Sequence, residues 1–169
     1  ILYERYFGEW SKSTQSQIFS VTKTITAMLC GVAITEGHIR SVEDRVTDYI
    51  PELKQADPMF EELKIKHLLD MTAGLDFDEN YSFNPFSKMA KLYMGRNTMR
   101  IIERAKISHK PGERYDYNSL TTAILGVVIE RATGMPYAEY LSSRIWQRLG
   151  MERSASIGVD DKKHRVAKS

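Results

Sequence analysis

Ser20-Val21-Thr22-Lys23 sets a hydroxyl and an amine three residues apart at the start of an apolar stretch with helical spacing. On a helix, side chains at that spacing share one face, with Cβ atoms about 5–6 Å apart. The helix N-terminus adds a positive potential that favours negative charge developing at Ser20. Desolvation and neighbouring positive potential favour a lysine's neutral amine, which can then accept a serine proton. Ser20 and Lys23 are therefore a candidate nucleophile and base. The chain holds 14 serines and 12 lysines, so one such spacing is expected by chance. The plain alternative is a serine N-cap followed by an exposed lysine.

The elements that must hold this pair are mostly helical. After Ser20, Ile25, Met28 and Val32 recur at spacings of three and four, and Gly37 follows in the usual left-handed capping place. Short helices are expected over residues 43–50, stopped by Pro51, and over 62–71, closed by Gly74. Residues 76–85 read as a polar and aromatic loop, followed by modest helices near 86–93 and 97–106. Pro111-Gly112 marks a turn, and helices are expected over 119–131 and 136–149, with Gly150 just past the last. Residues 1–7 carry Ile, Tyr and Phe in a run ending at Gly8 and predict a single N-terminal strand. A lone strand has unpaired edges, so its partners are expected outside this chain or in a second copy of it.

Composition narrows the classes. With 169 residues, 42% apolar and 27% charged, the chain can bury a core and is not expected to be disordered. A net charge of +2 gives no argument for nucleic acid. Lys162, Lys163, His164, Arg165 and Lys168 crowd near the end without an interleaved aromatic residue, which reads as a solvated surface run. The single cysteine, Cys30, excludes an internal disulfide and a cysteine-based metal site, and its apolar surroundings predict a buried thiol. His38, His67, His109 and His164 show no ligand spacing, and Asp76, Asp78 and Glu79 show no calcium-loop spacing; no metal or cofactor is expected. His67, at the start of a short helix, reads as a packing or capping residue. The apolar stretch 25–34 is too short to cross a membrane.

Several segments recur in the order of one family. Ile18-Phe19-Ser20-Val21-Thr22-Lys23-Thr24 runs into a helix ending Glu36-Gly37. Val46-Thr47-Asp48-Tyr49-Ile50-Pro51-Glu52-Leu53 follows, then Ile65-Lys66-His67-Leu68-Leu69-Asp70-Met71-Thr72-Ala73-Gly74-Leu75. Pro111-Gly112-Glu113-Arg114-Tyr115-Asp116-Tyr117 then leads into Leu125-Gly126-Val127-Val128-Ile129-Glu130. Together these resemble the serine β-lactamases and penicillin-binding proteins, the Ser-x-x-Lys serine hydrolases. The resemblance covers nearly the whole chain, and five ordered landmarks are far more specific than any one of them.

The resemblance implies that Ser20 is the nucleophile, Lys23 its base, and Tyr117 the second-motif tyrosine whose hydroxyl shuttles protons near Ser20. Tyr117-Asn118-Ser119 ends in serine where the commonest pattern, Tyr-x-Asn, ends in asparagine. That departure puts β-lactam turnover in doubt and likens the chain to the class C-like carboxylesterase and nylon-oligomer (6-aminohexanoate-dimer) hydrolase branch. In that branch a loop tyrosine faces the substrate. Tyr81 is the matching residue, and Ser119 and Tyr81 are expected to bind substrate. Ala132-Thr133-Gly134 has no preceding Lys or His and is not the family's third motif.

The fold implied is the α/β (α+β) β-lactamase/transpeptidase-like fold. Residues 1–169 would be a partial domain with one N-terminal strand, the nucleophile helix and the helical region, the central antiparallel sheet mostly missing. One oxyanion donor is worth about 10²–10³ in rate, so a chain without the third-motif strand is expected to be a poor catalyst alone. The expected partner is a small-molecule ester or amide, with no nucleic acid and no membrane span. Unpaired strand edges could join two copies. The resemblance favours a bacterial extracytoplasmic location, although no signal peptide is visible. The alternative function is a non-hydrolytic binding or sensor module of the same fold.

Overall fold

The computed structural model describes residues 2–79, 84 and 87–161. The chain enters through an irregular, exposed stretch with turns and then forms α1 (Val21–Thr35). After a 3-10 turn at Val46–Asp48 come α2 (Leu53–Ala56), a second 3-10 turn at Pro58–Glu62 and α3 (Ile65–Leu69). Then follow α4 (Lys88–Met94), α5 (Thr98–Ile102), α6 (Ser119–Thr133) and α7 (Tyr137–Leu141), which runs into a π-type turn at Ser142–Trp146.

The architecture centres on α1 against α6, with α3, α5 and α7 also packed on α6. In α1 the buried residues are Thr26, Leu29, Cys30 and Ala33, a single stripe at i, i+3, i+4 and i+7. In α6 every residue from Ser119 to Ile129 is buried, the pattern of a helix enclosed on all sides. Asn118 starts α6 by accepting the Leu120 N–H at 2.9 Å, and Gly134 ends it in a left-handed conformation. A buried hydroxyl pair ties α1 to α7. Thr26 Oγ1 donates to the Thr22 carbonyl, so its lone pair takes the proton of the Tyr137 hydroxyl 2.8 Å away.

Several expectations are corrected. Residues 2–7 are not a strand, and Leu2, Tyr3, Tyr6 and Phe7 are exposed. The sequence there has strand propensity, but among the described residues no neighbouring strand takes its N–H and carbonyl groups. The helix expected over 43–50 shrinks to Val46–Asp48 because the Val46 N–H donates to the Leu63 carbonyl at 2.9 Å. That bond belongs to an antiparallel bridge between Arg45 and Lys64, which competes with the helix. A second bridge, Leu75 with Ile107, cuts short the helix expected over 97–106. The helix of 136–149 ends as regular α-helix at Leu141.

The stretch after α3 is tied along the segment that approaches α6. Asp76 N–H donates to Lys106 O at 2.8 Å, Ser108 to Gly74 O at 2.8 Å, Gly112 to Thr72 O at 2.7 Å and Asp116 to Met71 O at 2.7 Å. These rungs set residues 71–76 beside 106–116. Tyr117 and the loop reaching Glu79 are delivered from this pair of segments.

Candidate active site

Ser20 occupies the capping position of α1, yet its side chain makes no cap hydrogen bond. The plain reading of Ser20 as a helix cap is therefore not what the geometry shows. Phe19, just before it, has φ +44°, a left-handed conformation that a bulky residue rarely adopts. This kink turns the chain sharply into α1 and leaves Ser20 on the surface.

Three groups meet at the Ser20 hydroxyl or one step from it. Tyr117 donates its hydroxyl to Ser20 Oγ at 2.6 Å, across 97 residues of sequence. Lys23 Nζ lies 3.3 Å from Ser20 Oγ and 4.8 Å from the centroid of the Tyr117 ring. Lys23 is half-buried and also donates to Ser119 Oγ at 3.1 Å. Its ammonium donates along these contacts; its neutral amine can accept along the first of them.

Ser119 was expected at the substrate, but its side chain turns inward. It is 1% exposed and lies behind Lys23. Its N–H donates to Glu79 Oε2 at 2.8 Å, and its hydroxyl donates to Glu79 Oε1 at 2.5 Å. Glu79 is thus a site residue that sequence reading left in an acidic loop. No local signal marks it, because its partner is 40 residues further on. Tyr81 and the basic run from Lys162 to Lys168 lie outside the described residues.

The other singled-out residues fall elsewhere. His67 accepts the Lys64 N–H on Nδ1 at 3.2 Å, capping α3 as expected. Burial first, then the nearby Lys66 and Lys64, holds its imidazole below the ordinary range, which favours this neutral acceptor. Cys30 is fully buried, and that burial pushes its thiol up to about 11. Among the described residues no three His, Cys, Asp or Glu side chains are grouped to hold a metal ion, and no helix is long and apolar enough to cross a membrane. Two open clefts measure about 470 and 510 Å³. Phe77 and Leu120 line the first, Thr22 and Ile25 the second; neither cleft is lined by Ser20, Lys23 or Tyr117.

The chain also resembles known proteins in sequence and in fold. The beta-lactamase family model matches residues 1–169. A 6-aminohexanoate-dimer hydrolase of Paenarthrobacter ureafaciens is 28% identical over 171 residues, covering 95% of this chain and 42% of that protein. Among solved structures, a Bacillus anthracis protein provisionally named a 6-aminohexanoate-dimer hydrolase superposes with a TM-score of 0.83 at 28% identity. That superposition covers 98% of this chain and 46% of the other. A penicillin-binding protein of Bacillus halodurans superposes at 0.63 with 25% identity, over 80% of this chain and 40% of the other. The chain spans less than half the length of each of these relatives. The fold is therefore the β-lactamase/transpeptidase-like fold, present here as its helical region, and the chain belongs to the beta-lactamase family.

Proposed function

We propose that this protein is a serine hydrolase that cleaves a carboxylic ester or amide through an acyl-enzyme on Ser20. The observation that carries this reading is the placement of one exposed hydroxyl between a tyrosine hydroxyl at 2.6 Å and a lysine amine at 3.3 Å. Those are hydrogen-bond distances for a nucleophile flanked by its base and by a proton donor. The neutral Lys23 amine takes the Ser20 proton as Oγ attacks the carbonyl carbon. The Ser20 N–H, at the positive end of α1, supplies one donor to the resulting oxyanion. As the intermediate collapses, Tyr117 passes its proton to the leaving group and is reprotonated at the expense of the lysine ammonium. Water then attacks the acyl carbon by the reverse sequence, which frees the acid and restores Ser20. The name of the Paenarthrobacter relative points to linear amides as the substrate class.

A fluorophosphonate probe tests this reading, because it phosphonylates only an activated serine. Labelling that disappears in Ser20→Ala is expected. An unlabelled wild-type protein, or a labelled Ser20→Ala, would remove the hydrolase reading. Nitrophenyl esters then separate turnover from a single stoichiometric burst; a burst without turnover would replace hydrolysis with covalent sensing.

A further inference from the structure

Lys23 has two serines within reach, and the unproductive one is nearer: Ser119 Oγ at 3.1 Å against Ser20 Oγ at 3.3 Å. A neutral amine has one lone pair and can accept one proton. If Ser119 offered its proton to that lone pair, the base would be occupied by a hydroxyl with no substrate beside it. Distance alone does not solve this competition. We infer that Glu79 decides it, by holding the Ser119 proton away from Lys23 so that the lysine lone pair is left for Ser20.

The donor and acceptor count supports this assignment, which rests on the hydrolase reading above. Ser119 has two donors, its N–H and its O–H, and Glu79 accepts both, one on each carboxylate oxygen. A hydrogen bond to a carboxylate is about twice as strong as one between neutral groups. Ser119 is 1% exposed, so water offers its hydroxyl little alternative. With its only proton committed, Ser119 can face Lys23 with lone pairs alone. It therefore accepts an N–H from the amine, which turns the nitrogen lone pair toward Ser20. Glu79 touches neither Ser20 nor the reacting atoms in this scheme. It is a positioning residue acting through Ser119.

Glu79→Gln reverses the polarity of this contact. The glutamine amide has one oxygen and one NH2, and the NH2 cannot face the Ser119 N–H, because both are donors. The oxygen therefore turns to the N–H, and the NH2 donates to Ser119 Oγ. Ser119 then directs its own proton at Lys23. The glutamine variant should slow fluorophosphonate labelling of Ser20 about 100-fold, within the usual worth of a general base. Ser119→Ala, which removes the competing proton along with an acceptor, should slow it less than about 10-fold. The decisive protein is the double variant Glu79→Gln, Ser119→Ala. It should label at least about 10-fold faster than Glu79→Gln alone, because the misdirected proton is gone.

A counter-ion or a structural prop gives the opposite order: losing Ser119 as well would leave the double variant as slow as Glu79→Gln or slower. That result, or a Glu79→Gln that labels like wild type, overturns the inference while the hydrolase reading stands. If wild type fails to label or Ser20→Ala still labels, both fall together. Circular dichroism checks each fold. Should Glu79→Gln not fold, Glu79→Ala with and without Ser119→Ala makes the same comparison, since alanine also releases the Ser119 proton.

Discussion

Gly74 joins the fold to the site, and replacing it with alanine shows how tightly. Gly74 has φ +70°, where an alanine costs about 1–2 kcal/mol. Its added Cβ would also stand 2.1 Å from the His109 carbonyl oxygen. A carbon–oxygen contact needs about 3.3 Å, so the carbonyl must retreat roughly 1.2 Å. That carbonyl sits between the Ser108–Gly74 and Gly112–Thr72 hydrogen bonds, both at or below 2.8 Å, and cannot retreat without stretching them. Overpacking of this kind adds about 1–3 kcal/mol. Gly37 supplies the control: its φ is +78°, but an added Cβ there meets nothing within 4 Å. Gly37→Ala should therefore cost about 1–2 kcal/mol, and Gly74→Ala about 2–5 kcal/mol. Urea unfolding of the two variants beside wild type measures both. Because the same rungs lead to Tyr117, Gly74→Ala should also slow fluorophosphonate labelling at temperatures where it remains folded. Equal losses of stability in the two variants would refute the argument from close approach.

Tyr117→Phe removes the hydroxyl 2.6 Å from Ser20 and should slow labelling by about 10²-fold or more. Tyr117 is 36% exposed, so thermal unfolding should barely move, and a large drop in melting temperature would mean the residue works through the fold instead. Cys30, its thiol pushed up to about 11 by burial, should resist a thiol reagent at pH 8 and react at once in denaturant; ready modification of the native protein would contradict its burial. Glu43 is held down to about 2 by hydrogen bonds from Lys66 and then Lys64, against an ordinary 4.5. A lowered carboxyl stabilises above its unfolded value and loses that contribution as pH falls, here from about 4.5 toward 2. Glu43→Gln, or high salt, should flatten that limb of the melting curve, and parallel slopes for wild type and variant would refute it.

Local pattern encodes part of this fold and of its site. The three- and four-residue spacing of Ile25, Met28 and Val32 and the cap at Gly37 announce α1, although the buried stripe is the neighbouring Thr26, Leu29, Cys30 and Ala33 and Met28 is exposed. Ser20 and Lys23 are legible because a helix puts i and i+3 side by side. Tyr117 is legible only by likeness to a family, since no periodicity links a tyrosine to a serine 97 residues earlier. Glu79 was missed for the same reason: its meaning depends on Ser119, and the loop around it carries no period. Ser119 was placed at the substrate because its motif position suggested it, whereas its burial follows from α6 being enclosed on every side. The strand expected over residues 1–7 failed because a run of strand-favouring residues records a capacity to pair, and pairing needs a neighbour.

The site's connectivity also sets when it can form during refolding. α1 and α6 are local structures that can appear early, but Ser20 meets Tyr117 only when a 97-residue span of chain is closed. Closing such a span costs about 4 kcal/mol of chain entropy, recovered only once the α1–α6 contact is buried. Competence to be labelled should therefore return after the helical signal, as a marker of the final long-range docking step.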